Sequence, residues 1–320
     1  MARALFRKLS VVSVTVFVFG LLEVQPAIAQ EPVYTPKAEL VTDNVYAIIG
    51  PLGQRSQDNA GLNANYGFVV SDTGVILIDS GASDHAAALI EQAVADVTDK
   101  PIRWVLNTGS QDHRWLGNGY FAQKGADIYA MQGTPATQTR LAEQQIASIK
   151  GFVGDQLLGT VPTVADQIQP APRAELNIDG VPLVWMQTNA HFPADTMIFV
   201  PEQSVLFTGD LVYVDRVLSI QPMSDVRAAA AAFEALVALE PAYIVPGHGR
   251  VTDIAQAQRE TGDYYAFLID NVGEAGREME SLQETLDRFD NPSAFVHLQN
   301  FDELHRANMN RVFVDFESNP

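Results

Sequence analysis

The sequence predicts an α/β layered domain with a metal-binding edge, on three observations. Apolar runs of four to eight residues alternate with helical stretches, the pattern of strands and helices stacked in layers. Several of these runs stop abruptly at Gly, Asn or Pro, so they read as buried strands running into loops. Four of those loops carry a His or an Asp: 107–114 (Asn-Thr-Gly-Ser-Gln-Asp-His-Arg), the turn at His191, Gly209-Asp210, and 246–249 (Pro-Gly-His-Gly). Loops at strand ends are where a rigid scaffold presents its chemistry. Imidazole nitrogens and carboxylate oxygens are ligands that suit zinc.

The elements follow in order. The stretch 1–29 reads as a cleavable secretory signal: Arg3, Arg7 and Lys8 form a positive start, 9–22 an apolar run, and Ala27-Ile28-Ala29 a small-x-small cleavage site. The apolar run is short for a membrane span of about 20 residues. Export to the periplasm is therefore expected, with no membrane attachment after cleavage. A polar leader, 30–37, precedes a first strand at 40–49 and a loop at 54–65. Residues 66–70 and 75–79 form a hairpin around Asp72-Thr73-Gly74. Ser83 or Asp84 caps a helix to about Val97. Strand 102–106 delivers the Asn107 loop. A helix at 116–124, a strand at 127–130 and a long helix from 134 to about 158 follow. The Pro-containing stretch 159–173 is a loop. Strands are expected at 176–187, 196–200 and 205–207, then an Ala-rich helix at 226–239 capped by Asp225, and a last strand at 243–245. The domain spans 30–251. A helical extension, 252–320, packs on it through Tyr264, Tyr265 and Phe267, with a break at Asn291-Pro292.

Composition narrows the function. The net charge is −19 and the chain contains five lysines, so no basic stripe for nucleic acid is present. A small-molecule substrate is expected instead. There is no cysteine, which excludes disulfides, thiolate ligands and a lipidated N-terminus. Hydrophobic residues make up 47% of 320, enough for a large core.

The runs "GFVVSDTGVILIDSG" (67–81), "HFPADTMIFVPEQSVLFTGDLV" (191–212) and "YIVPGHG" (243–249), in this order, resemble the metallo-β-lactamase superfamily over roughly residues 40–250. The chain is similar to a divergent branch, the quinoprotein relay system zinc metallohydrolases. The resemblance implies a four-layer αββα sandwich with the loops along one edge, and a lid at 159–173. It implies His191 as a first-position ligand, Asp210 as a bridging or single-metal ligand, and His248 as a second-position ligand. Asp79 and Asp195 would support the ligand loops from behind. It further implies a periplasmic quinoprotein partner.

The chain departs from the family at "NTGSQDHRWLGN", where His-x-His-x-Asp-His is usual. Without a gap, Gly109 and Gln111 replace two histidines, His113 the Asp, and Arg114 the last His. Slid by one residue, Asp112-His113 matches the family's Asp-His pair. Both registers keep His113, Asp210 and His248, and both lose two first-position histidines. The expectation is one divalent metal, zinc, rather than two. Its bound hydroxide would attack the carbonyl of an ester, lactone, thioester or amide. Asp112 is either a further ligand or the general base. Arg114 and Arg216 are candidates for holding substrate. A non-catalytic metal- or ligand-binding accessory protein of a quinoprotein dehydrogenase is the alternative.

Overall fold

A computed structural model describes residues 33–319. The expected signal sequence, 1–29, lies outside the described residues.

The first sheet has seven strands in chain order. These are β1 (Ala38–Thr42), β2 (Val45–Ile48), β3 (Tyr66–Val70), β4 (Val75–Ile78), β5 (Ile102–Leu106), β6 (Asp127–Met131) and β7 (Gln167–Gln169). Pairing is antiparallel from β1 to β4 and parallel from β4 to β7. The helices α1 (Asp84–Ala95), α2 (Asp112–Trp115), α3 (Asn118–Gln123) and α4 (Thr134–Val153) belong to this half. The second sheet runs β12-β11-β10-β9-β8, from β8 (Arg173–Ile178), β9 (Val181–Gln187), β10 (Thr196–Val200), β11 (Val205–Phe207) and β12 (Tyr243–Val245).

Side-chain alternation along the strands builds the layers. In β4, Ile76 and Ile78 face the other sheet, in one cluster with Trp185, Ile198, Phe207 and Val245. Val75 and Leu77 face outward onto Ile90 and Val94 of α1 and Phe121 of α3. A strand covered on both faces must be apolar throughout, which is why Val-Ile-Leu-Ile reads as an unbroken run. In the second sheet, Leu206 and Ile244 turn outward onto Phe233 and Leu236 of α5 (Val226–Val237). The same outer cluster holds Tyr264, Tyr265, Leu268, Phe313 and Phe316. These come from the helical run α6 (Ile254–Ala257), α7 (Asp263–Phe267) and α8 (Glu274–Arg277), and from α10 (Phe301–Ser318); α9 (Leu282–Arg288) lies between. The architecture is the αββα sandwich.

Three local expectations change. The single strands at 40–49 and 176–187 are each a hairpin. Asp43 and Asp179 take left-handed backbone (φ 43° and 49°), and the chain reverses there. The helix expected at 116–124 is α3, but a separate helical turn, α2, precedes it, so Asp112, His113 and Arg114 sit on a helical turn rather than an extended loop. The stretch 159–173 is not a lid, since none of its residues lines the cleft described below. That wall is built by α4 and α10.

Candidate metal centre

Three of the expected ligands meet at one point. Single donor atoms of His113, Asp210 and His248 all lie within 4.8 Å of one another, and all three residues are buried. The Nε2 atom of His113 is 3.0 Å from Asp210 Oδ2, and that of His248 is 3.5 Å from Asp210 Oδ1.

Backbone pairing brings them together. Gly247 N–H donates to the Val212 carbonyl, Val214 N–H to that of His248, and Tyr213 bridges to His248. This ties the Pro246–Gly249 turn to the segment after Asp210. The approach is so close that a Cβ on Gly247 would stand 2.5 Å from the Gly209 oxygen, so only glycine fits. Asn65 donates to the carbonyls of Pro246 and Gly249 and clamps the turn from the other side. His248 directs Nδ1 to the Asn63 carbonyl at 2.8 Å, which leaves its Nε2 lone pair turned to Asp210.

Asp210 is held by Arg114, whose Nη2 donates to Oδ1 (2.5 Å) and Nε to Oδ2 (3.3 Å). The Arg114 Nη1 donates to Asp79 Oδ2 and to the Asn65 carbonyl, both at 3.0 Å. Arg114 is buried and does not line the cleft, so it is an internal ion-pair residue and not the substrate anchor suggested above. Asp79 also accepts from the Thr108 amide and hydroxyl, each at 2.7 Å, and so fixes the start of the Asn107 loop. Burial pushes the Asp210 carboxyl up, but Arg114 and then His113 outweigh it and hold it well below the ordinary range.

Asp112 stands outside the trio. Its Oδ2 pairs with Arg55, and its Oδ1 accepts from the His113 amide (2.7 Å) and lies 3.2 Å from His113 Nδ1. It therefore backs the ring face opposite to Asp210. Asp112 turns its carboxylate to Arg55 and to the Nδ1 side of His113, so it does not join the donors that converge on Asp210. This is the placement of the ungapped register. Arg55 escaped the sequence reading; its only signal was a lone cation in the polar loop 54–65. Its Nη2 also lies 2.7 Å from His113 Nδ1. If Nδ1 accepts from Arg55, the ring proton sits on Nε2 and donates to Asp210. If Nδ1 donates to Asp112, Nε2 is free for a cation.

The first metal position is filled differently. A Cβ on Gly109 would lie 2.4 Å from Asp195 Oδ1, so a histidine there would collide with that carboxylate. Asp195 Oδ2 accepts from the Phe192 amide at 2.7 Å and shapes the turn beside His191. The His191 Nε2 lies 2.9 Å from Gln111 Oε1, and His191 is not among the donors that converge. The other histidines play no part: His85 and His297 are exposed, and buried His305 bonds Tyr264 and the Phe289 carbonyl.

A model of the metallo-beta-lactamase superfamily matches residues 60–248. This chain belongs to that superfamily. No curated protein matches it. Among solved structures, it is similar to a metallo-beta-lactamase from Pseudomonas aeruginosa in its mono-zinc form (21% identity, TM-score 0.58, 74% of this chain and 98% of that one). It is also similar to one from Pontibacter korlensis (16%, 0.57, 72% and 99%). The stereoselective inverting sec-alkylsulfatase of Pseudomonas sp. covers more of it (18%, 0.66, 87%), but the chain spans only 50% of that protein. At these identities the likeness supports the fold. Superfamily membership supports a metal-dependent hydrolase in general terms.

The donor set fits one divalent ion. Two imidazoles and a carboxylate converge, and the Nδ1 of each imidazole has a partner on the side away from Asp210, as metal-binding histidines usually do. At the two first-position histidines of the family, Gly109 has no side chain and Gln111 offers only an amide.

Burial also makes this centre acid-sensitive. It pushes the imidazoles of His191 and His248 down to about 4 and about 3. Both are neutral in the fold, whereas in the unfolded chain they take up protons below about 6.5. Stability is thus present at neutral pH and lost as pH falls from about 6.5 towards 4. His191→Gln, which keeps a partner for Gln111, is expected to flatten this loss by roughly 3 kcal/mol at pH 4. Urea unfolding at pH 7.5 and pH 4.5 measures it; equal slopes in both proteins would contradict it.

Proposed function

We propose that this protein is an exported, mononuclear metallohydrolase that opens an ester, lactone, thioester or amide. The convergence of His113 and His248, which line an open cleft of about 380 Å³, on the buried Asp210 carries the reading. Export rests on the charged start, apolar run and Ala27-Ile28-Ala29 of the sequence.

Those three residues would hold the ion, and zinc suits them. Bound there, a divalent ion would polarise a carbonyl and lower the pKa of water. The remaining residues have separate tasks. Arg114 fixes the Asp210 carboxylate, and Asp112 orients the His113 ring. The Gln111 carbonyl is taken by His191, and its amide N–H groups have no partner among the described residues. They line the cleft, where they can donate to a carbonyl oxygen as it gains charge. A single ion without the two-metal clamp suits attack at carbonyl carbon better than phosphodiester cleavage.

A second reading is a non-catalytic metal- or ligand-binding accessory protein of a quinoprotein dehydrogenase. Arg55 beside His113 and Arg114 on Asp210 favour it, because both compete with a cation.

Asp112→Asn separates the readings in protein recovered from the periplasm, whose N-terminus is expected at Gln30. Asp112 is already paired with Arg55, and burial is outweighed by that cation, so its carboxyl is held below the ordinary range, which suits an orienting role better than a base. The variant should bind zinc about 10- to 100-fold more weakly while hydrolysis of activated esters and lactones per bound zinc is preserved. A rate loss of about 10²- to 10⁴-fold at full zinc would make it the base instead. Absence of zinc-dependent turnover in the wild type would leave the accessory reading.

A further inference from the structure

Arg216 is a buried cation without a counter-ion. It is 4% exposed and lines the same cleft. Asp215 before it takes left-handed backbone (φ 64°), and Arg216 bridges to Gln299 of the C-terminal extension. Its Nη1 donates to the Leu52 carbonyl at 3.0 Å, and Asn300 donates to the same oxygen at 2.9 Å. The position is thus built by three separate parts of the chain. Its Nε is buried with no acceptor, and among the described residues no carboxylate lies within ion-pairing distance.

The two neighbouring arginines differ. Arg55 has Asp112, and Arg114 has Asp79 and Asp210. The charged side chains lining the cleft are Arg55, Asp112 and Arg216, and the first two neutralise each other. The cleft therefore keeps one uncompensated positive charge, in a chain of net charge −19. A desolvated guanidinium is costly to a fold unless something pairs with it. Its planar fork, with an idle Nε–H, suits a carboxylate or a similar oxyanion.

Its distance from the trio is set by one aromatic ring. The Arg216 guanidinium stands over the Tyr213 ring at 5.7 Å, and Tyr213 stacks on His248 at 4.5 Å between centroids. Leu141, Phe192, Met223 and Leu304 add apolar lining.

We propose that Arg216 receives a singly charged oxyanion of the carboxylate type on the substrate, whose apolar body lies along these four side chains. This names the substrate class for the cleft and rests on reading it as the substrate site.

Binding, not turnover, tests it. The probes are 4-phenylbutyrate and its neutral isostere 4-phenylbutyramide, titrated by calorimetry into zinc-loaded and chelator-treated protein. The wild type is expected to bind the carboxylate about ten- to a hundredfold more tightly than the amide in both states. Arg216→Gln should erase the preference, and Arg216→Lys should keep part of it. Because the charge is unpaired, Arg216→Gln should leave the Tm unchanged or raise it. Equal binding of the two probes by the wild type would overturn the proposal, as would a preference that survives in Arg216→Gln. So would a fall of several degrees in Tm for that variant, which would make Arg216 structural. A preference without turnover would uphold the oxyanion site and defeat the hydrolase reading alone.

Discussion

Arg114→Met is expected to destabilise the protein by about 3–5 kcal/mol, the usual cost of breaking a buried ion pair from one side. The methionine fills a similar volume, so the loss comes from charge and not from a cavity. It leaves Asp79 and Asp210 buried without the guanidinium that joins them. It also frees the Asn65 carbonyl, and Asn65 clamps the His248 turn. The damage should therefore reach the metal centre. Arg114→Lys keeps the charge but not the fork, and should fall between. Urea midpoints at pH 7.5 measure both. A loss below about 1 kcal/mol for the methionine variant would mean that the two carboxylates are neutralised by something other than Arg114.

Zinc content should be one per chain after dialysis, and His113→Ala, Asp210→Ala or His248→Ala should each empty the site. Removing a ligand's hydrogen-bonding partner commonly costs 10- to 100-fold in affinity, so removing a ligand should cost more than about 100-fold. Gln111→Ala should retain its zinc, because Gln111 bonds His191 and stands apart from the trio. Two zinc ions per chain, or loss of metal from Gln111→Ala, would restore the first position. Full retention in the three ligand variants would place the ion elsewhere. Asp210→Ala carries a second signature. It leaves Arg114 with Asp79 alone, so its stability should also fall.

The fold was legible because it rests on periodicity. The alternation of Val75, Ile76, Leu77 and Ile78 between two cores is the same fact in sequence and in space. The hairpin at Asp43 was missed because its turn, Asp43-Asn44, carries no glycine, whereas the turn at Asp179-Gly180 carries the Asp-Gly hairpin signal and was passed over inside a long apolar run. His113, Asp210 and His248 were legible as a set because each ends an apolar run at a turn. The role of Asp112 was not legible. Two registers differing by one residue fit the letters equally well, and a one-residue slip on a helical turn swings a side chain by about 100°.

The sequence by itself determined the layered α/β class, which follows from local apolar patterning, and with the family resemblance it narrowed the ligands to Asp112, His113, His191, Asp210 and His248. Only the tertiary structure decided which charges pair. Arg55 and Asp112 are 57 residues apart, and Arg114 and Asp210 are 96 apart. Arg216 depends on Leu52 and Gln299, from opposite ends of the chain. A Coulomb interaction depends on distance and burial, not on sequence separation. The letters therefore gave Arg114 and Arg216 equal standing and passed over Arg55. Folding left two of them paired and one facing the cleft alone.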